Sequence, residues 1–190
     1  MQWYVQRALV QARRRFVFTA ASLTIGRMPR LARSFFARPT LTVARPYRGV
    51  MLLRLEQPTA AFYRYLYTAV GSRWGWLARA EMTDSELVAV ITDPLVEVFV
   101  LYVGGIPAGF FELDRRVVGE VELSHYGLAP EFIGRGLGKP LLASAVETAW
   151  TSEPERVWVK STNRDHPRGL LVYQWAGFVP YREERLPGDG

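Results

Sequence analysis

The chain has 190 residues, 49% of them hydrophobic, and a formal charge of +6, which fits one folded unit able to bury roughly two-thirds of its unfolded surface. It holds no cysteine, so disulfides, thiolate metal sites and a cysteine nucleophile are excluded, and its two histidines, His125 and His166, have no metal-binding spacing. No run approaches the ~20 uncharged apolar residues of a membrane span, so no membrane partner is expected.

The charge is unevenly placed. Eleven arginines and no acid precede Glu56, which leaves 13 basic against 18 acidic residues after it. The basic total therefore conceals an acidic domain behind a basic arm. We divide the chain into an Arg-rich arm, 1–39, and a domain, 40–190. The acidic part suits a small cationic substrate better than nucleic acid, whose binding needs clustered Lys and Arg on the folded surface. Within the arm, Val5, Leu9, Ala12 and Phe16 fall near one helical face, which allows a basic amphipathic helix. The apolar core of the arm, 16–26, is short for a secretory signal and no Ala-x-Ala site follows. A cytoplasmic protein is expected, but the arm resembles a mitochondrial transit peptide in being acid-free and Arg-rich, which leaves organelle targeting open. It also reads as an appendage irrelevant to the chemistry, with Met28 as a later start.

From 50 to 55 the chain reads as a first strand, and from 59 to 70 as a helix with Thr59 as its N-cap. The aromatics Tyr63 and Tyr67 of that helix continue into Trp74 and Trp76. Thr83-Asp84-Ser85-Glu86 is a capping box ahead of a second helix that ends near Asp93-Pro94. Residues 96–103 are apolar almost throughout, as in a strand buried on both faces, and Gly104-Gly105 turns them into a hairpin with 106–114. A strand follows over 120–128, a helix over 137–150, a strand over 156–161, a helix over 167–176 and a last strand over 178–182.

Between the strand at 120–128 and the helix at 137–150 lie Gly134, Gly136 and Gly138, with Arg135 and Lys139 interleaved. A strand feeding a Gly-rich turn that opens a helix suits phosphate. Glycine lets backbone N–H groups approach an anion, and the first-turn N–H groups of a helix lack intrahelical partners. Read plainly, the same turn only stops a strand and starts a helix. The spacing is wrong for the dinucleotide fingerprint, and Pro140 after Lys139 excludes the P-loop.

The stretch resembles the acetyl-CoA pyrophosphate loop of the GNAT superfamily of N-acetyltransferases, Arg/Gln-x-x-Gly-x-Gly/Ala after an apolar-x-Pro lead-in. Here Leu128-Ala129-Pro130 is the lead-in and Ile133-Gly134-Arg135-Gly136-Leu137-Gly138 the loop, with Ile133 where the family has Arg or Gln. A second stretch, Tyr173-Gln174-Trp175-Ala176-Gly177-Phe178, resembles the family's Tyr-x-x-x-Gly-Phe signature. A helix C-cap explains its Gly and Phe but is indifferent to the Tyr. The order of predicted elements agrees over about residues 42–185. The resemblance implies an α/β (α+β) fold whose mixed, mostly antiparallel sheet is flanked by helices and splays between two central strands.

It also implies acetyl-CoA as acyl donor and no metal. Leu128, Ile133, Gly134, Arg135, Gly136, Leu137, Gly138 and Lys139 would hold the cofactor, with a backbone N–H near Leu128 polarising the thioester. The acceptor would be the amine of a small molecule or peptide, and a homodimer is left open. Tyr173 occupies the position of the family's general acid, and Glu122, on the strand leading to the loop, is the candidate base. Regular alternation puts Glu120, Glu122, Ser124 and Tyr126 on one face and His125 on the other, although this fold often bulges in that strand. Glu112, on the neighbouring strand, could share the cleft; these glutamates could equally be solvated sheet residues. Tyr63, Tyr67, Trp74 and Trp76 could flank a cation or simply pack. The family often has Asn seven residues before the Tyr, where this chain has His166, with Asn163 nearby. Two other readings stay open: a degenerate acetyl-CoA-binding regulatory module, suggested by Ile133, and a basic-arm protein attached to a membrane or other anion.

Overall fold

The structure, a computed structural model, describes residues 3–5, 10–11, 49–162, 165–179 and 183–185. In chain order the elements are β1 (Trp3–Val5), β2 (Val10–Gln11), β3 (Val50–Arg54), α1 (Ala60–Gly71), α2 (Asp84–Ile91), β4 (Val96–Val103) and β5 (Ile106–Asp114). There follow β6 (Glu120–Leu128), α3 (Gly138–Ala149), β7 (Arg156–Val159), β8 (Ser161–Thr162), α4 (Gly169–Trp175) and β9 (Glu183–Arg185). The six-stranded sheet runs β2-β7-β6-β5-β4-β3, antiparallel except for the parallel β6–β7 pair, and a small sheet runs β8-β1-β9.

Local chemistry sets these limits. The Thr59 side chain accepts from the Phe62 N–H at 3.3 Å and opens α1. At α2 the capping box is complete: Glu86 N–H donates to Thr83 Oγ1 at 3.3 Å and Thr83 N–H to Glu86 Oε2 at 2.8 Å. Gly104 and Gly105, at φ 58° and 84°, take the left-handed conformations of a two-residue hairpin turn, which set the β4–β5 register.

Both sheet faces are covered, which is why β4 is apolar on both. Val98 and Val100 join Phe110 of β5 against Tyr63, Leu66, Tyr67 and Val70 of α1 and Leu87 and Ile91 of α2. On the other face Leu101, Phe111, Leu123 and Val157 pack against Leu141, Leu142 and Val146 of α3. Each such large side chain contributes about 1.5–3 kcal/mol by leaving water. Arg115 fastens α3 to the sheet: its guanidinium bonds Glu97 at 2.7 Å and the carbonyls of Thr148 and Ala149, at the C-terminal end of α3, at 2.9 and 3.1 Å.

Some expectations shift. The strand expected over 156–161 divides, its first part pairing β6 and its last, β8, pairing β1. The final strand is Glu183–Arg185 rather than 178–182, of which 180–182 lie outside the described residues. Two pieces of the Arg-rich arm join the sheets as β1 and β2, with Val10 opposite Val157. Val5 is therefore in a strand, not a helix; Leu9, Ala12 and Phe16 lie outside the described residues.

Candidate active site

β6 and β7 pair in register from Glu120–Arg156 to Leu123–Val159 and no further. Beyond Leu123, β6 stays bonded to β5 while its other edge leaves β7, so the central strands splay. Ala129 N–H donates to the Ala108 carbonyl on β5 at 2.9 Å. Alternation along the strand therefore turns the Leu128 N–H the other way, into the splay.

The Gly-rich loop closes one end of this opening. Phe132 is buried at the end of the short turn Pro130–Phe132, and the Arg135 guanidinium lies over its ring at 5.0 Å. Gly134 and Gly136 sit at φ 82° and 78°, where a side chain is strained. Leu137 is buried, Gly138 begins α3, and the helix has no side-chain N-cap, so its first N–H groups remain available to an anion. Lys139 Nζ lies 4.9 Å over the Trp175 ring of α4. The loop residues 133–139 and Leu128 thus gather at the splay.

The Tyr-Gly-Phe stretch forms one local unit. Gly177, at φ 89°, follows the C-cap of α4; its N–H donates to the Gln174 carbonyl and the Phe178 N–H to the Tyr173 carbonyl, the two bonds of a Schellman motif. The Tyr173 ring, 9% exposed, packs against Phe178 at 5.8 Å and Tyr126 at 5.9 Å. Burial first, then the neighbouring Asp165 and Tyr126, hold its hydroxyl well above the ordinary phenol range, so at neutral pH it keeps its proton. Tyr126 donates to the Gly138 carbonyl at 2.8 Å and so ties β6 to the start of α3. His166 packs edge-on to Trp74 at 5.3 Å; Asn163 lies outside the described residues.

The expected face of β6 is corrected. A bulge at Ser124 lets His125 stand opposite Glu112 while Leu123 stands opposite Leu113. One extra residue inverts the period-two alternation. Glu122, opposite Asp114, and His125, opposite Glu112, therefore share the α1 side of the sheet, and Tyr126 is on the α3 side. Glu122 does not share a face with Tyr126, and His125 is not on the opposite face from Glu122. Burial pushes the Glu122 carboxyl up, against the pull of Lys160, whose Nζ is 3.4 Å away.

Glu112 is fully buried at the centre of a network that sequence reasoning did not find. It accepts from the Tyr63 hydroxyl and from Arg79 Nη2 at 2.7 Å, and His125 Nδ1 lies 3.5 Å from its Oε1. Burial alone would raise its carboxyl, but His125, Arg79 and Tyr63 together hold it down at about 2. It is therefore neither solvated nor open to substrate. Arg79 arrives from a loop held by Arg64, which bonds the carbonyls of Arg79, Ala80 and Met82 and the Asp84 carboxylate. No motif announced Arg79, because its partner lies 33 residues away. Tyr63, Arg64, Tyr67, Thr68, Arg79 and Ala80 line a cleft of about 190 Å³. Tyr63 and Tyr67 are buried core residues, whereas Trp76 is half-buried against Tyr67, Phe110 and His125.

The sequence pattern of the acetyltransferase (GNAT) family matches residues 55–178. The chain belongs to this family. No curated protein matches it. Among solved structures it is similar to an aminoglycoside acetyltransferase from an uncultured soil metagenomic sample, at 15% identity over 73% of this chain and 93% of that one, with a TM-score of 0.57. A spermidine N-acetyltransferase from Vibrio cholerae, solved with CoA and spermine, shares 19% identity over 69% of this chain and 81% of that one, with a TM-score of 0.56. A Bacillus subtilis acetyltransferase solved with CoA shares 18% identity over 67% and 75%, with a TM-score of 0.51. At these identities the similarity shows the fold, an α/β GNAT architecture. Among the described residues no cluster of His, Asp or Glu could hold a metal ion, and no helix is long and apolar enough to cross a membrane.

Proposed function

We propose that residues 40–190 form an acetyl-CoA-dependent N-acetyltransferase that moves an acetyl group to a primary amine by direct attack in a ternary complex. The observation that carries this reading is the splay of β6 from β7 beyond Leu123, opening onto a Gly-rich loop and an uncapped helix start. The available N–H groups over 133–139 suit a pyrophosphate, and the Leu128 N–H suits a thioester oxygen. Tyr173, buried and protonated, serves as the acid for the departing thiolate. Glu122, its carboxyl raised by burial yet 21% exposed, takes a proton from the arriving ammonium. A primary amine is largely an ammonium at neutral pH, so the acceptor, a small molecule or a peptide, arrives as a cation. The aminoglycoside and spermidine enzymes of similar fold are consistent with an amine acceptor. Residues 1–39 lie outside this chemistry.

The test is thiol release from acetyl-CoA across a panel of amines, including polyamines, aminoglycosides and peptide amino termini. Amine-dependent release is the expected result. Acetyl-CoA binding without release for any amine would leave a binding module instead.

A further inference from the structure

An acceptor that arrives as an ammonium ion gives up two protons before it becomes an amide N–H. Glu122 serves for one of them. The second leaves as the C–N bond forms, and it needs an acceptor within hydrogen-bond reach of the attacking nitrogen. The splayed stretch of β6 has two ionisable side chains at adjacent positions on opposite faces, His125 and Tyr126. On the α3 face Tyr126 leads to Tyr173, the proposed acid. On the α1 face stands His125, beyond the last β6–β7 pair, with its side chain 14% exposed.

The surroundings of His125 orient it. The edge of the Tyr67 ring and the tilted Trp76 indole hold the imidazole at centroid distances of 5.1 and 5.2 Å. Its buried Nδ1 has no hydrogen-bond partner among the described residues and faces Glu112 Oε1 at 3.5 Å. Glu112 is ionised and can only accept, so the ring nitrogen facing it is the one that carries the proton in the neutral form. Nε2 is left with the lone pair. The charged groups around this ring are Glu112 on β5, Arg79 from the 76–83 loop and Glu122 on β6, itself paired with Lys160, with the neutral phenols Tyr63 and Tyr67 on α1. Glu112 is already bonded to Arg79 and Tyr63, so it stays an anion while His125 gains and loses a proton.

We infer that His125, oriented by Glu112, takes the proton from the attacking amine nitrogen as the acyl group transfers. This rests on the acetyl transfer proposed above. The nitrogen lone pair forms the C–N bond, the C–S bond breaks, the nitrogen's proton passes to His125 Nε2, and Tyr173 protonates the thiolate. One proton then returns to Tyr173 through water and the other enters solvent, so the products are an amide and the CoA thiol. His125 stands on the α1 face of β6 and Tyr173 packs on the α3 face, beside the stretch where β6 parts from β7.

Three measurements test this. His125→Gln should lose about 10²–10⁴-fold in kcat with unchanged acetyl-CoA affinity. In the unaltered chain, the His125 titration midpoint read by NMR should coincide with the acid limb of kcat/KM for the amine. With His166 as the other histidine, His166→Gln assigns the resonance. Folded Glu112→Gln should lower kcat with acetyl-CoA affinity unchanged, because the anion that fixes the Nδ1–H tautomer is gone. Turnover by folded His125→Gln within about threefold of the parent, or a midpoint unrelated to the acid limb, would overturn the role of His125 alone. Absence of thiol release from the unaltered chain with any amine would overturn the acetyl-transfer reading and this inference with it.

Discussion

Tyr126 and Tyr173 meet with ring centroids 5.9 Å apart, and the same Tyr126 hydroxyl bonds the Gly138 carbonyl at the start of α3. One tyrosine thus ties the proposed acid, the splayed strand and the Gly-rich loop together. Tyr173 itself packs through its ring, and its carbonyl accepts from the Phe178 N–H.

Tyr173→Phe keeps that packing and removes the oxygen. We expect kcat to fall by about 10²–10⁴-fold while acetyl-CoA affinity changes little, the pattern of a group that acts in the chemical step. Steady-state kinetics with a binding isotherm decide it. Equal turnover would reduce Tyr173 to packing; joint loss of turnover and affinity would make the hydroxyl a cofactor anchor.

Gly136→Val should abolish acetyl-CoA binding. At φ 78° a β-branched side chain is strained, and relief of that strain turns the neighbouring N–H groups away from the anion. The loop lies at the surface end of β6, so the thermal transition should remain cooperative. Titration calorimetry on the folded variant is the check, and retained affinity would show that the cofactor sits elsewhere.

Glu112 makes stability depend on acid. Its carboxyl lies at about 2 in the folded chain against 4.5 for a free glutamate, a difference worth about 3 kcal/mol. This contribution is fully present above the unfolded value and is lost as pH falls through about 2. Glu112→Gln leaves Arg79 buried without its anion and should cost about 3–5 kcal/mol at neutral pH. The gap between the two proteins should narrow from pH 5 to pH 2 in denaturant titrations. A pH-independent gap would mean that the carboxylate charge is not what stabilises the network.

A chain beginning at Thr40 lacks both β1 and β2, so it loses the central strand of the small sheet and uncovers the outer edge of β7. It should melt at a lower temperature yet still bind acetyl-CoA, because the splay and the loop are built from residues 120–175. Loss of binding in that chain, measured beside the full chain, would show that the strands of the arm are needed to hold the cofactor site.

Much was legible in the sequence because its signals are local. Thr59, the Thr83–Glu86 box, Gly104-Gly105 and Gly177 act within four or five residues of themselves, and each ends or begins the element it announced. The apolar run of β4 and the Gly-rich loop before α3 are likewise short-range patterns, and with the Tyr-Gly-Phe stretch they carried the family. What the sequence could not determine was which side chains face one another. The bulge at Ser124 has no residue signature of its own; it arises where β6 holds its register on β5 while parting from β7, and it turns His125 toward Glu112. The Glu112–Arg79–Tyr63 cluster joins residues 33 and 49 positions apart, and only the packing of α1 and its following loop onto the sheet brings them together. Periodicity assigns a residue to a face. Tertiary structure decides what waits there, because burial and charge pairing depend on neighbours that the chain supplies from far away.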